Sequence, residues 1–309
     1  MVDKKVIKLS SALESLALMI AKLAQNDGDY LTAFSSLSVH RRSAPTSPVH
    51  CIYQMGLGVV VQGAKEIMLA GKPTHYRSGE SLLTTIDLPV VSHVTQASSD
   101  EPFLGLMLTL DPHAVMQLAA LMPSTRPIKD VPLNPLSVEP LDEGLINALC
   151  RLIGLLDEPD LVTQLEPLIQ QEIIIRLLAS NHGPQLRHIA AAGSPSQNIS
   201  RVVGWLKQNF TRPISMDELA ANAYMSPSTF RQHFRAMTGV SPLQYLKKLR
   251  LQEARQQMLS KNLDASSAAL RVGYESASQF SREYSREFGE SPQRDIKRIR
   301  LIGEGGLDR

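Results

Sequence analysis

The 309-residue chain is poor in cysteine and aromatic side chains and has no long apolar run. Its two cysteines, Cys51 and Cys150, are too few for a disulfide framework, which indicates a reducing compartment. No apolar stretch reaches the roughly 20 residues of a membrane-spanning helix. In residues 1–23, Glu14 and Lys22 interrupt the apolar pattern, which is typical of an amphipathic helix rather than a signal peptide. We therefore expect a cytoplasmic protein without a membrane partner.

Motifs for enzyme chemistry are also missing. The Ser and Asp residues form no nucleophile motif, and no Gly-rich phosphate loop is present. A metal-binding cupin usually carries a His-x-His pair, whereas the candidate ligands are singly spaced: His40, His50, His75 and His93. Imidazoles can still converge in three dimensions, but we expect no metal, no cofactor and no catalytic activity.

Positive charge is unevenly distributed along the chain. Residues 195–309 contain 18 Lys and Arg against 11 Asp and Glu, whereas residues 1–194 contain 14 against 19. A basic C-terminal part joined to an acidic N-terminal part suits a nucleic-acid reader attached to a second domain. Ordinary surface variation can produce such a balance, so charge alone does not decide the function.

An internal repeat at an offset of 50 residues does decide it. Each copy has the pattern of a helix-turn-helix unit, and two copies favour a paired DNA reader, because one short recognition helix contacts only a few base pairs. Before each turn, Ala223 aligns with Gly273 and Tyr224 with Tyr274. The remaining pairs are Ser226 with Ser276, Phe230 with Phe280, Phe234 with Tyr284, Gly239 with Gly289, and Ser241-Pro242 with Ser291-Pro292.

Hydroxyl side chains mark where the helices begin. Ser215, Ser226, Ser241 and Ser276 each precede a polar residue by three positions, and all but Ser226 satisfy the capping-box rule. These caps predict recognition helices that begin at residues 227 and 277. Each helix has an apolar face for packing and an opposite polar face. Residues 242–259 between the units are predicted to form one long connecting helix.

The polar faces supply the candidate DNA contacts. Arg can bind guanine and Gln can bind adenine through paired hydrogen bonds in the major groove. We predict that the two helices enter successive major grooves, about one turn or ~34 Å apart. Lys247 and Lys248 on the connecting helix are possible phosphate contacts. The polar faces comprise Ser228, Arg231, Gln232 and Arg235 in the first unit and Ser278, Gln279, Arg282 and Ser285 in the second.

Residues 198–300 resemble the DNA-binding domain of the AraC/XylS family of bacterial transcription regulators. The motifs that carry the resemblance include Pro213-Ile214, Gly239-Val240-Ser241-Pro242 and Val272-Gly273-Tyr274-Glu275-Ser276. The resemblance implies double-stranded DNA as a partner, and RNA polymerase if the protein activates transcription. By position, it implies base contacts from Ser228, Arg231 and Gln232, and from Ala277, Ser278, Gln279 and Arg282, with only a methyl contact from Ala277.

The N-terminal part has a different texture. Short β-like runs separated by Gly, Pro and Asp occupy about residues 30–110, and helical spacing follows in segments 113–122, 142–156 and 167–179. The predicted fold class is therefore α+β: a cupin-like β-barrel with flanking helices, then an all-α domain of two helix-turn-helix units joined by a linker helix. We place an effector and dimerisation domain at 1–192, a linker at 193–197 and the DNA-binding domain at 198–302.

Residues 58–65 and 86–90 are similar to the cupin-like effector domains of a subset of the family, a group that includes a regulator of aldehyde-reducing enzymes. This resemblance implies a small-molecule effector in the barrel, such as an aldehyde or apolar carbonyl compound, but a ligand does not transfer with a fold. The helices at 142–179 carry more apolar residues than one buried face needs, which favours a homodimer.

Three other functions stay open at this point. The barrel could belong to a cupin-type enzyme with an ancillary DNA-binding module. It could only dimerise a protein that bends or occludes DNA. Cys51 could also sense electrophiles as a thiolate if His50 or the pair Arg41-Arg42 lowers its pKa, although a buried, inert thiol is the commoner situation.

Overall fold

The computed structural model describes residues 4–122, 134–191 and 193–304. A β-rich part with flanking helices precedes a helical part. The strands are β1 Gly28–Leu31, β2 Leu37–Arg42, β3 Val49–Tyr53, β4 Gly56–Gln62, β5 Ala64–Leu69, β6 Lys72–Arg77, β7 Glu80–Thr84, β8 Leu88–Gln96, β9 Phe103–Thr109 and β10 Leu136–Pro140. The first five helices are α1 Lys4–Leu23, α2 Pro112–Leu121, α3 Glu143–Gly154, α4 Val162–Ala179 and α5 Gly183–Ala190. They are followed by α6 Pro195–Asn209, α7 Met216–Asn222, α8 Pro227–Thr238, α9 Pro242–Ser260, α10 Ala265–Arg271, α11 Ala277–Phe288 and α12 Pro292–Glu304.

The strands form two antiparallel sheets rather than a closed barrel. One sheet has the order β1-β2-β9-β4-β7-β10 and the other the order β3-β8-β5-β6. The chain passes from the first sheet to the second at Gly63, whose φ is +82°. A Cβ there would lie 2.4 Å from the carbonyl oxygen of Gln96, so only glycine fits this crossing. The predicted cupin-like domain is confirmed as a β-rich domain, but its barrel is open.

The helices of the N-terminal part cover the larger sheet. α1 packs on β2, β4 and β9, with Leu16 and Ile20 fully buried, and α3 packs on α1. The three predicted helical segments are confirmed, but α4 begins at Val162, so Pro167 lies inside a helix that starts earlier than expected. None of the helices in the described ranges is long and apolar enough to cross a membrane.

Two hydrophobic clusters support the C-terminal part. The first helix-turn-helix unit, α7 and α8, shares one continuous core with the sheets, whereas the second unit, α10 and α11, packs in its own cluster with α9 and α12. Ser194 caps α6 by accepting a hydrogen bond from the backbone N–H of Gln197. α6 therefore begins at Pro195, inside the segment predicted as a linker.

Candidate nucleic-acid interface

The first recognition helix, α8, is fixed at its start and along its apolar face. Ser226 accepts a hydrogen bond from the backbone N–H of Thr229 at 3.3 Å. Phe230 and Phe234 are fully buried, and the Phe234 ring meets the Tyr245 ring of α9 edge-on with 5.5 Å between centroids. Aromatic pairs in this geometry stabilise packing beyond their buried area. The polar face of α8 is thereby turned outward.

The second recognition helix, α11, is fixed by a buried carboxylate that sequence reasoning missed. Asp295 of α12 is fully buried and accepts two hydrogen bonds from the Arg255 guanidinium, both at 2.7 Å. Tyr284 of α11 donates a third to Asp295 at 2.6 Å. A bidentate Arg–carboxylate pair is rigid, so α9, α11 and α12 form one unit. The Arg255 side chain also lies 4.5 Å from the Phe288 ring centroid.

All four predicted N-caps are present, but only one capping box is reciprocal. Ser241 and Gln244 satisfy each other's backbone N–H groups at the start of α9. At α7 and α11 the serine accepts as expected, but the partner side chain turns elsewhere. Glu218 binds Arg212, and Gln279 donates to Glu283 at 3.2 Å. Competing side chains therefore take the place of the second half of the box.

The side chains predicted to contact DNA in the two units are all exposed on the outward faces of α8 and α11. Such exposure is necessary for base contact but does not demonstrate it, so the contacts remain a prediction. The exposed positions are Ser228, Arg231, Gln232 and Arg235 on α8, and Ala277, Ser278, Gln279 and Arg282 on α11.

The repeat is not uniform across its turns, and the predicted alignment there is wrong by one residue. Tyr224 has φ +55° and donates its backbone N–H to Ala221, while Gly273 has φ +86° and donates to Leu270. The structural equivalent of Tyr224 is therefore Gly273, at an offset of 49. The offset returns to 50 after the turn, so Glu275 is an extra residue in the second unit.

The two lysines of the connecting helix have protein partners. Lys247 pairs with Glu283 at 2.9 Å, and Lys248 pairs with Glu287. Both acids belong to α11. These pairs orient α9 against the second recognition helix, which is a role that the sequence did not suggest.

The C-terminal part is docked on the smaller sheet through two acidic residues. Asp87, between β7 and β8, pairs with Lys207 of α6 at 2.6 Å, and its carbonyl oxygen accepts a hydrogen bond from the Tyr245 hydroxyl at 3.0 Å. Glu287 of α11 pairs with His50 of β3 at 3.1 Å. Both helix-turn-helix units therefore have a direct link to the N-terminal domain.

Cys51 does not have the surroundings of a thiolate sensor. Burial raises the pKa of its thiol to about 11, and the nearby positive charge of Lys65 offsets only part of this effect. His50, expected to activate it, pairs instead with Glu287. A thiol with a raised pKa is mostly protonated and a poor nucleophile near neutral pH.

The candidate metal ligands of the N-terminal domain are separated. His40 lies 2.7 Å from Asp29, while His75 and His93 lie 3.3 and 3.9 Å from Glu66. Within residues 4–122, 134–191 and 193–304, no group of three or more His, Cys, Asp or Glu side chains is arranged to hold a metal ion.

Two protein-family models match the chain. The AraC-type transcriptional regulator N-terminus matches residues 33–185, and a helix-turn-helix domain matches residues 219–298. The chain is 25% identical over 177 residues to the thermoregulatory protein LcrF of Yersinia pestis, covering 56% of this chain and 62% of LcrF. It is 31% identical over 102 residues to the HTH-type transcriptional activator RhaS of Klebsiella pneumoniae, covering 33% and 36%. The chain thus matches less than two thirds of the length of either relative.

Solved structures extend the similarity to the whole architecture. Apo ToxT from Vibrio cholerae strain SCE256 has a TM-score of 0.61 at 12% identity, over 86% of this chain and 98% of that one. ToxT from Vibrio cholerae O395 has a TM-score of 0.57 at 13% identity, over 85% and 98%. At this identity the likeness shows the fold, a β-rich N-terminal domain followed by a helical helix-turn-helix domain. Because the two matched models cover most of the chain in the expected order, the protein belongs to the AraC family of transcription regulators.

Proposed function

We propose that this protein is a sequence-specific DNA-binding transcription regulator whose helices α8 and α11 read successive major grooves. The observation that carries the proposal is the pairing of two exposed, Arg- and Gln-bearing faces on helices of the same length and capping. Arg231 and Arg282 are the side chains best suited to bidentate guanine contacts. Phosphate contacts by the helix N-termini would fix the register.

Activation is the regulatory direction that we propose. Several relatives, including RhaS of Klebsiella pneumoniae and VirF of Yersinia enterocolitica, are named transcriptional activators. An activator needs a surface for RNA polymerase, which we therefore propose as a protein partner. Both partners place the protein in the cytoplasm.

The N-terminal domain is proposed to bind a small-molecule effector between its two sheets. ToxT, whose fold is similar, has been crystallised with an unsaturated fatty acid bound. An effector changes DNA affinity only if it binds two arrangements of the protein unequally. The docking of both helix-turn-helix units on the smaller sheet gives such a change a route to the DNA-binding surface. The proposal of an aldehyde or apolar carbonyl compound rests on sequence resemblance alone.

A second copy of the chain is proposed to pack on α4. Most of the stripe lies on that helix, with Leu161 just before its start: Leu161, Leu165, Leu168 and Ile175 are exposed and follow spacings of four, three and seven residues. This is the repeat of a coiled-coil seam, whose exposed apolar side chains pack well only against another helix.

Capture of fragmented genomic DNA by the purified full-length protein tests the DNA-binding proposal. We expect an enriched motif with two short blocks about one helical turn apart. Enrichment of no motif would contradict sequence-specific binding. The genes beside the captured sites would also narrow the search for the effector.

Arg231→Ala and Arg282→Ala form a matched pair for base contact. Each is expected to weaken binding to the captured motif by about 1–3 kcal/mol and to relax one block, a different block for each variant. Affinity for random DNA should change much less, because phosphate contacts remain. Equal losses on motif and random DNA, measured by competition at fixed salt, would assign both arginines to the backbone instead.

A further inference from the structure

The space between the two sheets contains a lysine. Lys65 lies on β5 directly opposite Tyr76 of β6 and Val94 of β8, both of which are only 4% exposed. Directly opposed residues of antiparallel strands share a face, so the Lys65 side chain points between the sheets. Lys65 is itself only partly buried, which leaves its head group within reach of a solute.

Aromatic and hydroxyl groups surround this ammonium. Its Nζ lies 5.4 Å from the ring centroid of Tyr53 and 5.8 Å from that of Phe103. The Tyr53 hydroxyl is 2.9 Å from Oγ of Ser92. Burial holds the pKa values of Tyr53 and Tyr76 well above their usual range, so both phenols keep their protons and can donate hydrogen bonds.

The positive charge of Lys65 has no carboxylate to balance it. In the described parts of the chain, no Asp or Glu oxygen lies within 4.0 Å of its Nζ, whereas many other lysines there are paired. The nearby carboxylate of Asp29 is already shared by Arg42 and His40, each at 2.7 Å. Two aromatic faces compensate an ammonium only in part. A partly buried, unpaired charge reduces stability, and such a cost persists where a site serves a function.

We propose that the effector is an organic anion, a carboxylate on an apolar or aromatic body, whose charge pairs with Lys65. The carboxylate would accept a hydrogen bond from the Tyr53 hydroxyl, and the body would lie against the Tyr53 and Phe103 rings. This inference rests on the proposed effector function and specifies the chemistry of that same site. It replaces an uncharged carbonyl compound as the ligand class.

The test compares three full-length proteins: wild type, Lys65→Met and Lys72→Met. Methionine removes the charge and keeps an unbranched side chain, and Lys72 is an exposed lysine on the adjacent strand β6. The probes are benzoate and octanoate, each matched with its uncharged amide. Thermal unfolding and calorimetric titration report binding. Affinity for the captured DNA motif is measured on the same samples.

We expect both carboxylates, but not the amides, to raise the unfolding temperature of wild type and Lys72→Met. Lys65→Met should bind at least tenfold more weakly, and without probe it should unfold at a higher temperature than wild type. Carboxylate and amide binding of equal strength, no binding of either carboxylate, or an unchanged response in Lys65→Met would overturn the proposal. Borohydride trapping of benzaldehyde on Lys65 would overturn it in favour of a carbonyl ligand.

The DNA measurement separates this inference from the regulator proposal. Specific DNA binding without any charge-dependent probe binding would refute the anion site alone. Charge-dependent binding that depends on Lys65, without specific DNA binding by any of the three proteins, would refute the regulator proposal and leave the anion site standing.

Discussion

One buried imidazole joins three elements of the N-terminal domain. His182, between α4 and α5, is 1% exposed, and its two ring nitrogens lie 3.0 Å from Oγ of Ser81 on β7 and 2.8 Å from Oγ of Ser137 on β10. Burial lowers the pKa of His182 to about 4. The ring is therefore neutral at physiological pH and serves the fold rather than proton chemistry.

This pKa predicts an acid-sensitive step in stability. An unfolded histidine has a pKa of about 6.5, so between about pH 6.5 and pH 4 the unfolded chain takes up a proton that the folded chain refuses. The free energy of unfolding should therefore fall as the pH falls through this window, by up to about 3 kcal/mol from His182. Urea titrations at pH 7 and pH 4.5 measure the difference.

His182→Gln should lose that part of the pH dependence, because an amide can bind both serines without titrating. His113→Gln changes an exposed histidine and serves as the matched control. A pH dependence that is the same in His182→Gln as in wild type would show that other groups cause the acid sensitivity.

At the scale of single elements, the exposed stripe on α4 predicts the assembly state. In a symmetric dimer Leu168→Glu alters both copies, removing the burial of two leucines, about 3–6 kcal/mol. The dissociation constant should rise at least a hundredfold. Sedimentation at micromolar concentration should give twice the 34.0 kDa chain mass for wild type and the single mass for the variant.

Leu270→Glu is the control for this substitution, because Leu270 is also exposed but lies on α10 in the second helix-turn-helix unit. It should leave the mass unchanged. A wild-type protein that sediments as a monomer would remove the dimer proposal altogether.

Elements whose signals are local could be predicted from the sequence, and elements that depend on partners could not. Hydroxyl caps followed by Pro227 or Pro242 fix helix starts within one chain segment, so α8 and α9 were predicted to the residue. The short strands β1, β2, β6 and β10 have no strong pattern of their own and are defined by pairing in the sheets. Only φ and hydrogen bonds revealed the extra residue Glu275.

The candidate site divides in the same way. Outward-facing residues such as Arg231 and Arg282 follow from helical periodicity, because exposure needs no partner. Lys65, Asp87 and Asp295 gain their roles from distant side chains: Asp295, for example, meets Arg255 across 40 positions of the sequence. Such meetings depend on sheet register and helix packing, which no local pattern specifies.

At the scale of the whole molecule, the two domains are joined by few polar contacts around Asp87. Its carboxylate accepts the Met55 backbone N–H at 2.8 Å and pairs with Lys207, while its carbonyl oxygen accepts from Tyr245. Tyr245 is buried and also packs on Phe234 of the first recognition helix. A change between the sheets that moves Asp87 would therefore be transmitted directly to α6 and α9.

The double variant Lys207→Met with Tyr245→Phe should loosen this docking without unfolding either domain. Phenylalanine keeps the packing of Tyr245 and loses only its hydrogen bond, which contributes about 1 kcal/mol, and the lost ion pair adds to that. The undocked population should rise about tenfold, and elastase should cleave the alanine-rich segment 190–192 correspondingly faster when opening is fast relative to cleavage. Lys261→Met, an exposed lysine at the end of α9, is the control. Cleavage of the double variant at the control's rate would mean that Asp87 does not hold the domains together, and that the apolar surface shared by the smaller sheet and the first helix-turn-helix unit does.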